Sequence, residues 1–512
     1  GLASDSGGWI AGLILTSRTL WKGLLQQLVA QKGRGGALFE YLSQEVYNEL
    51  PAELRQFVLT TGILSELEPQ LCDELLGIEN AQNLLEELER RNLFLSRLDS
   101  ERPVYRLHQL FQEFLKAKLE GEDHQRYSGL NLKAAAIYEK KGNWEEAIKH
   151  YGQAGGWCDY GRVVAKAGEE LMRAGRWQTL SRWIEGLPQA VLDSNPELHL
   201  WRAQAAIRSG ETDLAIRLCN RAMEGSAKIG DTLCTVRALL CRGSALRLAG
   251  QPGASMADVR RALALLKDRP EEGRLVAEAR RQLGTIYGQQ GDFARARRQL
   301  EKSLALYVKA GELADVSLVH DLLGVACSQF GQLDRATMYF ERAKQGWHKL
   351  SNWSELARTL NNMGELYRLK GDQERALAEL DLALANARRS GNIRSEAWAL
   401  NTIGDVKQDQ GEYEAAIDKY NASLELARRD LDAYLVTRCT CAIGDSYRMM
   451  GRYDDALFLI DQAVCQAKER NSGYELGLCL SSLGLIKSGQ GKHKEAVAAL
   501  RQAARLVELS GN

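Results

Sequence analysis

Apolar and small residues recur at intervals of three and four through most of this chain, the spacing that places them on one face of an α-helix. In residues 354–390 they include Leu360, Met363 and Leu380, and Gly371 interrupts the pattern before a second helical segment begins. The pattern therefore predicts that the C-terminal part of the chain is built from helical hairpins.

Glycine residues give this hairpin a fixed period of 40 residues, and they are Gly284, Gly324, Gly364, Gly404, Gly444 and Gly484. A second set of glycines lies seven residues after the first, and an alanine follows each of its members by five residues. A fixed period in this range predicts a solenoid, in which each unit buries its apolar face against its neighbours. Because a glycine inside a helix costs about 1 kcal/mol relative to alanine, we expect Gly364 and Ala376 to permit close helix packing.

Residues 37–120 have a different pattern. Helical segments are followed by two short apolar segments, 93–98 and 104–107, on either side of a polar turn, and these predict a β-hairpin. Helices followed by such a hairpin predict a winged helix. Because the helical segment 80–91 carries several glutamates, it is poorly suited to a groove lined by phosphates, and we interpret the winged helix as a protein-packing module.

The charge balance argues against direct binding to nucleic acid or to an anionic membrane. Lys plus Arg and Asp plus Glu each total 67 in 512 residues, so the basic excess typical of such proteins is missing. No run of about 18 apolar residues could span a bilayer, and the first residues lack the pattern of a signal peptide. The ten cysteines contain no CxxC spacing and predict buried thiols in a reducing cytoplasm.

Motifs for catalysis are absent from the sequence. The seven histidines include no HExxH or comparable metal spacing, and no GxSxG nucleophile motif is found. The phosphate loop GxxxxGK[ST], whose amides, lysine and hydroxyl together hold a nucleotide and magnesium, is also missing. We therefore expect that this chain is not an enzyme and holds no cofactor or metal.

The repeated segment containing Leu283, Gly284, Tyr287, Gly291 and Ala296 resembles the tetratricopeptide repeat in a lengthened form. Weaker copies are found near residues 210 and 250, and residues 142–147 resemble the start of a first hairpin. The resemblance implies an all-α fold, a right-handed superhelix of tetratricopeptide-type hairpins preceded by the small winged-helix domain.

Residues 105–114 are similar to the signature that closes the winged helix of STAND ATPases, the signal-transduction ATPases with numerous domains. Residues 8–13 resemble the segment that enters the helical module after the nucleotide-binding core of that superfamily, and residues 84–94 are typical of its MalT-like bacterial regulators. Two positions depart from the pattern, with Ile10 where proline is frequent and Gln109 where an acidic residue is frequent.

This resemblance implies four segments. Residues 1–36 end the ATPase helical module, 37–120 form the winged helix, 121–200 form a degenerate helical-repeat connector, and 201–512 form the tetratricopeptide sensor array. We expect the ATPase core, with ATP or ADP and magnesium, to lie before Gly1 in a longer native protein. The DNA-binding helix-turn-helix of MalT-like regulators is also missing from this chain.

The resemblance further implies a role for His108. In STAND proteins the matching histidine contacts the diphosphate of ADP and helps to hold the resting state, and a histidine donor beside phosphate is physically reasonable. The alternative is a histidine that caps or packs against the last helix of the winged helix.

In tetratricopeptide arrays the first helix of each hairpin lines a concave groove. The resemblance and helical geometry place one set of residues on that face. They are Arg281, Asp321, Arg358, Asn361, Asn362, Glu365, Arg368, Trp398, Asn401, Thr402, Asp405, Asp445 and Arg448. Amide side chains donate and accept hydrogen bonds, which suits a peptide backbone or a polar small molecule. The alternative is a solvated face whose charges pair with one another.

These expectations combine into one functional hypothesis. The chain would be the sensor region of a MalT-like STAND regulator, which binds an inducer or an inhibitory partner in the repeat groove. Binding would change how the winged helix holds the regulator's own ATPase core, and so release ADP. The alternative is a stand-alone tetratricopeptide scaffold that binds peptide segments of partner proteins.

Overall fold

The computed structural model describes residues 44, 46–91, 94–98, 103–430, 432–470 and 472–510. The predicted end of an ATPase helical module, residues 1–36, therefore lies outside the described residues. Contacts divide the chain into two compact units, residues 1–209 and 210–512.

The first unit begins with the winged helix. Its elements are α1 (Ala52–Thr61), α2 (Pro69–Leu76), α3 (Ala81–Arg90), β1 (Leu95–Arg97), β2 (Tyr105–Leu107) and α4 (Gln109–Glu122). The two strands are antiparallel, with Leu95 opposite Leu107, and Leu67 forms a further antiparallel bridge to Tyr105. The rings of Phe94 and Phe111, whose centroids are 4.9 Å apart, pack beneath the hairpin. The predicted order of helices followed by a β-hairpin is confirmed.

Helical hairpins complete the first unit. They are built from α5 (His124–Lys140), α6 (Trp144–Gln153), α7 (Trp157–Arg173), α8 (Trp177–Glu185), α9 (Gln189–Ser194) and α10 (Pro196–Ser209). A boundary at residue 200 would divide α10. The structure instead holds α10 against α7, because the indole of Trp201 donates to the carbonyl of Ala165 at 3.0 Å. The same ring fills the space that a Cβ on Gly168 would need.

The second unit consists of consecutive helical hairpins. Its helices are α11 (Thr212–Ile229), α12 (Thr232–Leu248), α13 (Pro252–Leu265), α14 (Gly273–Gln289), α15 (Phe293–Ala310), α16 (Leu313–Gln329), α17 (Leu333–Lys349), α18 (Trp353–Leu369), α19 (Gln373–Ser390), α20 (Ile393–Asp409), α21 (Tyr413–Arg429), α22 (Ala433–Met449), α23 (Tyr453–Glu469), α24 (Gly473–Gly489) and α25 (His493–Ser510). From α14 onward the even-numbered helix is the first helix of each hairpin. The all-α prediction is confirmed.

The two sets of glycines have different structural roles. Gly291 follows the end of α14 with φ of 74°, a left-handed conformation that L side chains rarely adopt. The next residue, Asp292, caps α15 by accepting from the amide of Arg295 at 3.0 Å. Gly364 instead lies inside α18, where a Cβ would be 2.4 Å from Cγ of Leu380. The expected close approach of the two helices in a hairpin is therefore confirmed.

Candidate functional site

The predicted groove residues lie on the first helices of successive hairpins, and several of them pair between neighbouring hairpins. Nε of Arg438 donates to Oδ1 of Asn401, 37 residues earlier, at 2.7 Å. Arg358 stands in the same relation to Asp321, with 2.6 Å between Nη2 of the arginine and Oδ2 of the aspartate. The arginine of one hairpin thus covers the polar side chain of the hairpin before it.

This pairing corrects part of the sequence-based prediction. The side chains of Asp321 and Asn401 are fully buried, so neither can belong to a solvated face or contact a ligand directly. Thr402 is also buried. Burial raises the pKa of the Asp321 carboxyl, although the nearby Arg358 guanidinium acts in the opposite direction. These residues position the arginines that do reach the surface.

A second polar cluster surrounds Asp405. Its carboxylate accepts from Nη2 of Arg438 at 2.7 Å and from the hydroxyl of Tyr420 at 2.8 Å. The Arg438 guanidinium also lies 5.8 Å from the ring centroid of Trp398. The ring of Tyr434 stacks on the ring of Trp398, with centroids 5.9 Å apart. Trp398 is therefore held by a cation and an aromatic ring on the inner face.

Charges farther along the same face also pair with one another. Arg368 contacts Oε1 of Glu365 at 2.8 Å and Oδ2 of Asp409 at 2.7 Å. Arg448 lies 3.5 Å from Oδ1 of Asp445. Mutual pairing is the alternative that the sequence left open, and it describes these three carboxylate and guanidinium contacts.

Three predicted residues, Arg281, Asn361 and Asn362, are partly exposed. The Oδ1 atom of Asn361 is itself buried and has no hydrogen-bond partner within the described part of the chain. Nη2 of Arg281 lies 4.0 Å from Oε1 of Glu278. The exposed parts of these three side chains lie within reach of solvent.

A pocket of about 650 Å³ lies between α14, the beginning of α15 and α16. Its lining consists of Gly284, Thr285, Gly288, Gln289, Gln290, Gly291, Phe293, Leu300, Leu322, Val325, Ala326 and Gln329. Thr285 lies one helical turn after Arg281, and Val325 occupies the position that Glu365 has in the next hairpin, so part of the lining lies on the predicted groove face. None of these lining residues is charged.

Sequence reasoning missed this pocket because it was guided by polar side chains. Gly288 occupies the position that Arg368 occupies two hairpins later, and Val325 occupies the position of Glu365. The pocket exists because small and apolar residues replace charged ones at these two places. That replacement is visible in the aligned repeats and could have indicated the site.

His108 occupies the N-cap position of α4, directly after β2. Its backbone amide donates to the carbonyl of Phe94 at 2.7 Å, and its ring is partly buried. Burial lowers the pKa of the imidazole, so the ring is neutral at neutral pH and can donate one hydrogen bond. This geometry is compatible with both a nucleotide contact and a packing role.

The helix of the winged helix that precedes β1 carries few unpaired cations. In α3, Glu87 forms ion pairs with both Arg90 and Arg91.

Within the described ranges, no group of three His, Cys, Asp or Glu side chains could hold a metal ion. No helix of those ranges is long and apolar enough to cross a membrane.

Family models match two parts of the chain. The MalT winged-helix domain matches residues 43–127. The tetratricopeptide repeat matches residues 236–309, 313–389 and 395–469, and a second model of the same repeat matches residues 132–155. These matches confirm the winged helix and the repeat array that the sequence predicts.

Curated relatives match only part of their own length. The serine/threonine-protein kinase PknK of Mycobacterium tuberculosis is 31% identical over 208 residues, 40% of this chain and 19% of the kinase. The HTH-type transcriptional regulator MalT of Yersinia enterocolitica is 30% identical over 190 residues, 36% of this chain and 21% of MalT. The chain thus spans about a fifth of the length of these relatives.

Solved structures resemble the general architecture. A STAND protein with a tetratricopeptide repeat sensor from Pyrococcus horikoshii has a TM-score of 0.47 at 14% identity, over 91% of this chain and 64% of that chain. A Rap protein complexed with competence and sporulation factor has a TM-score of 0.49 at 14% identity, over 69% of this chain and 99% of that chain. Both scores lie below 0.5, so neither likeness carries a functional conclusion.

The family models place a MalT winged-helix domain before the tetratricopeptide repeats in this chain. A winged helix in which Arg90 and Arg91 pair with Glu87 is followed by helical hairpins with a pocket between α14, α15 and α16. The chain therefore carries a MalT-type winged-helix domain followed by tetratricopeptide repeats, and in this it resembles the corresponding portion of the MalT-like STAND regulators.

Proposed function

We propose that this chain is the sensor region of a MalT-like STAND regulator and that an effector binds on the inner face of its repeats. The pocket between α14 and α16 is the observation that carries the proposal. Its volume of about 650 Å³ lies within the range of about 300–1,000 Å³ that is usual for ligand pockets. Asn361 and Asn362 of α18, which are both partly exposed, support a recognition surface that extends along the first helices of later hairpins.

The lining of the pocket indicates the class of effector. Because no lining residue is charged, a charged ligand would lose hydration without gaining a partner. The side-chain amides of Gln289 and Gln329 and the hydroxyl of Thr285 can instead bond to neutral polar groups. We expect an uncharged small molecule, or an uncharged side chain of a peptide, with an apolar part that reaches Leu322.

We expect effector binding to control the ATPase through thermodynamic linkage between the two sites. An effector that binds one arrangement of the sensor more tightly shifts the whole regulator toward that arrangement. We propose that the winged helix carries this shift to an ATPase core and that His108 contacts the diphosphate of ADP in the resting state. The MalT-type winged helix favours this reading over a stand-alone scaffold, which would need no such domain.

Filling the pocket is expected to weaken effector binding at least about tenfold, a loss of roughly 1.4 kcal/mol. In Gly288→Leu the new side chain would enter the pocket, since the nearest atom to a Cβ there is Cβ of Ala296 at 3.9 Å. Thermal-shift titration of neutral metabolites, charged metabolites and short peptides against the wild-type chain identifies the effector, and the same titration against the variant measures the loss.

Gly253→Leu is the matched control, because Gly253 is an exposed helical residue in α13 whose Cβ would contact nothing within 4 Å. We expect this variant to bind as the wild type does. If an effector stabilises Gly288→Leu as strongly as the wild type, the pocket is not its binding site. If Asn361→Ala loses effector binding and Gly288→Leu does not, the effector binds near α18 and not in the pocket.

The chain by itself is expected neither to bind ATP tightly nor to hydrolyse it, because no phosphate loop is present in its 512 residues. Isothermal titration calorimetry with Mg-ATP and a phosphate-release assay check both statements. Saturable binding with a Kd below about 1 mM, equivalent to roughly −4.1 kcal/mol, would contradict the reading of this chain as a sensor separate from its ATPase core.

A further inference from the structure

Two cysteines of neighbouring hairpins lie in contact. Cys441 of α22 and Cys479 of α24 are 38 residues apart in sequence, and their Sγ atoms are 3.7 Å apart. Cys479 is fully buried, and Cys441 is 7% exposed. A disulfide bond of about 2.05 Å would need the two sulfur atoms to approach by about 1.7 Å.

The surroundings of the pair do not suit a metal ion. The two thiols lie in an apolar cluster with Ile460 and Ile486. No third metal ligand joins them in the part of the chain that the structure describes. Cys439, two residues from Cys441, instead donates to the hydroxyl of Ser423 at 3.3 Å, so it is separate from the pair.

We propose that Cys441 and Cys479 form an oxidation-sensitive dithiol that closes to an intramolecular disulfide when the protein meets a peroxide. Disulfides in cytosolic proteins are usually transient and redox-sensing, which is the role that this pair fits. A small peroxide suits the site better than a bulky disulfide reagent, because both sulfur atoms are nearly enclosed.

The chemistry balances in two steps. The sulfur of Cys479 attacks one oxygen of hydrogen peroxide, the O–O bond breaks, and the departing hydroxide takes the thiol proton as water, leaving a sulfenic acid. The sulfur of Cys441 then attacks the sulfenic sulfur, the S–O bond breaks, and the released hydroxide takes the Cys441 proton as a second water. The two thiols lose two electrons, and the peroxide gains them.

The contact between the two thiols also assigns their roles. Cys441 donates its S–H to the sulfur of Cys479, and this hydrogen bond raises the pKa of Cys441 and lowers the pKa of Cys479. A thiolate is the nucleophile in such oxidations, so Cys479 reacts first and Cys441 resolves the sulfenic acid.

The cross-link would join the first helices of two consecutive hairpins. In a solenoid each unit contacts only its neighbours, so a covalent bond between units removes the freedom that one hairpin has relative to the next. Oxidation would therefore stiffen the array from α22 to α24, next to Arg438 and the polar contacts it makes. This inference does not depend on the effector pocket.

Peroxide treatment of the whole chain tests the proposal. After a stoichiometric dose, alkylation and proteolysis without reductant should give a cross-linked peptide containing Cys441 and Cys479, with two hydrogens lost. The apparent Tm should rise by about 5 °C and return when dithiothreitol is added. Cys465→Ser, which alters an exposed cysteine, should leave both results unchanged.

Cys441→Ser should give no cross-link and should leave Cys479 as a sulfenic acid, which dimedone labels once the oxidised protein is unfolded in its presence. If the wild-type pair remains alkylatable at doses that oxidise the exposed Cys158 and Cys465, the proposed dithiol does not exist. A cross-link that forms without a change in Tm would overturn the stiffening of the array.

Discussion

Arg438→Met is expected to lower the free energy of unfolding of the repeat array by about 2–3 kcal/mol. Arg438 holds the buried amide oxygen of Asn401 and the nearly buried carboxylate of Asp405, each at 2.7 Å. Methionine keeps the apolar stem but leaves both acceptors without their charged donor. Loss of one partner of a fully buried ion pair costs about 3–5 kcal/mol, and the partial exposure of Arg438 reduces that figure.

The loss of unfolding free energy in Arg438→Met should be smaller at acid pH than at neutral pH. Burial already raises the pKa of Asp405 above its ordinary value of 3.8, while Arg438 lowers it, so removing the arginine raises the pKa further. A group whose pKa is raised by folding contributes stability at low pH, and that contribution is lost as the pH rises through its folded pKa. Urea unfolding of both proteins from pH 4 to pH 7 measures the difference.

Arg394→Met is the matched control. Nε of Arg394 lies 3.0 Å from Oδ2 of Asp430, but the arginine side chain is 61% exposed. Exposed pairs contribute about 0–1 kcal/mol, so this variant should unfold almost as the wild type does. Equal losses for the two variants would show that the contacts of Arg438 are no more important than a surface ion pair.

The architecture could be predicted because it depends on residues that are local and repeated. Gly291 must adopt a positive φ where α14 ends, and Gly364 must leave space for Leu380, so these positions repeat with the hairpin. Glycine and small residues at a fixed period carry that information directly. The β-hairpin of the winged helix was predicted for a similar reason, from two short apolar segments around a polar turn.

The burial of the groove residues could not be predicted in this way. Asn361 and Asn401 occupy equivalent positions, yet the first is partly exposed and the second is fully buried. The difference lies in the following hairpin, where Arg438 reaches back to Asn401. At the corresponding position after Asn361 stands Trp398, which turns instead toward Arg438 and Tyr434. A pattern read within one repeat does not contain this information.

The side chain that packs beside the glycine inside the first helix also changes from one hairpin to the next. Hairpins with tyrosine at 287 and 367 place Leu300 and Leu380 beside their helix glycine. Hairpins with Cys327 and Lys407 place the aromatic rings of Phe340 and Tyr420 there. The last hairpin departs from this alternation, because Lys487 is there combined with Leu500 beside Gly484.

Gly284→Ala and Gly288→Ala are expected to change the free energy of unfolding in opposite directions and to differ by about 1–3 kcal/mol. Both glycines lie in α14, one turn apart, so the substitutions change helix propensity equally. A Cβ on Gly284 would meet Cγ of Leu300 at 2.6 Å and the carbonyl of Ala296 at 3.2 Å. On Gly288 the nearest atom would be 3.9 Å away.

Helix propensity alone would stabilise both variants by up to about 1 kcal/mol, because alanine loses less backbone entropy than glycine. At Gly284 overpacking outweighs this gain, since forcing extra volume into a close-packed contact costs about 1–3 kcal/mol. Thermal and urea unfolding of the two variants therefore separates packing from propensity within one helix. If Gly284→Ala proves as stable as Gly288→Ala, close helix contact is not what fixes the 40-residue glycine, and the physical basis of the repeat must be sought in its turns.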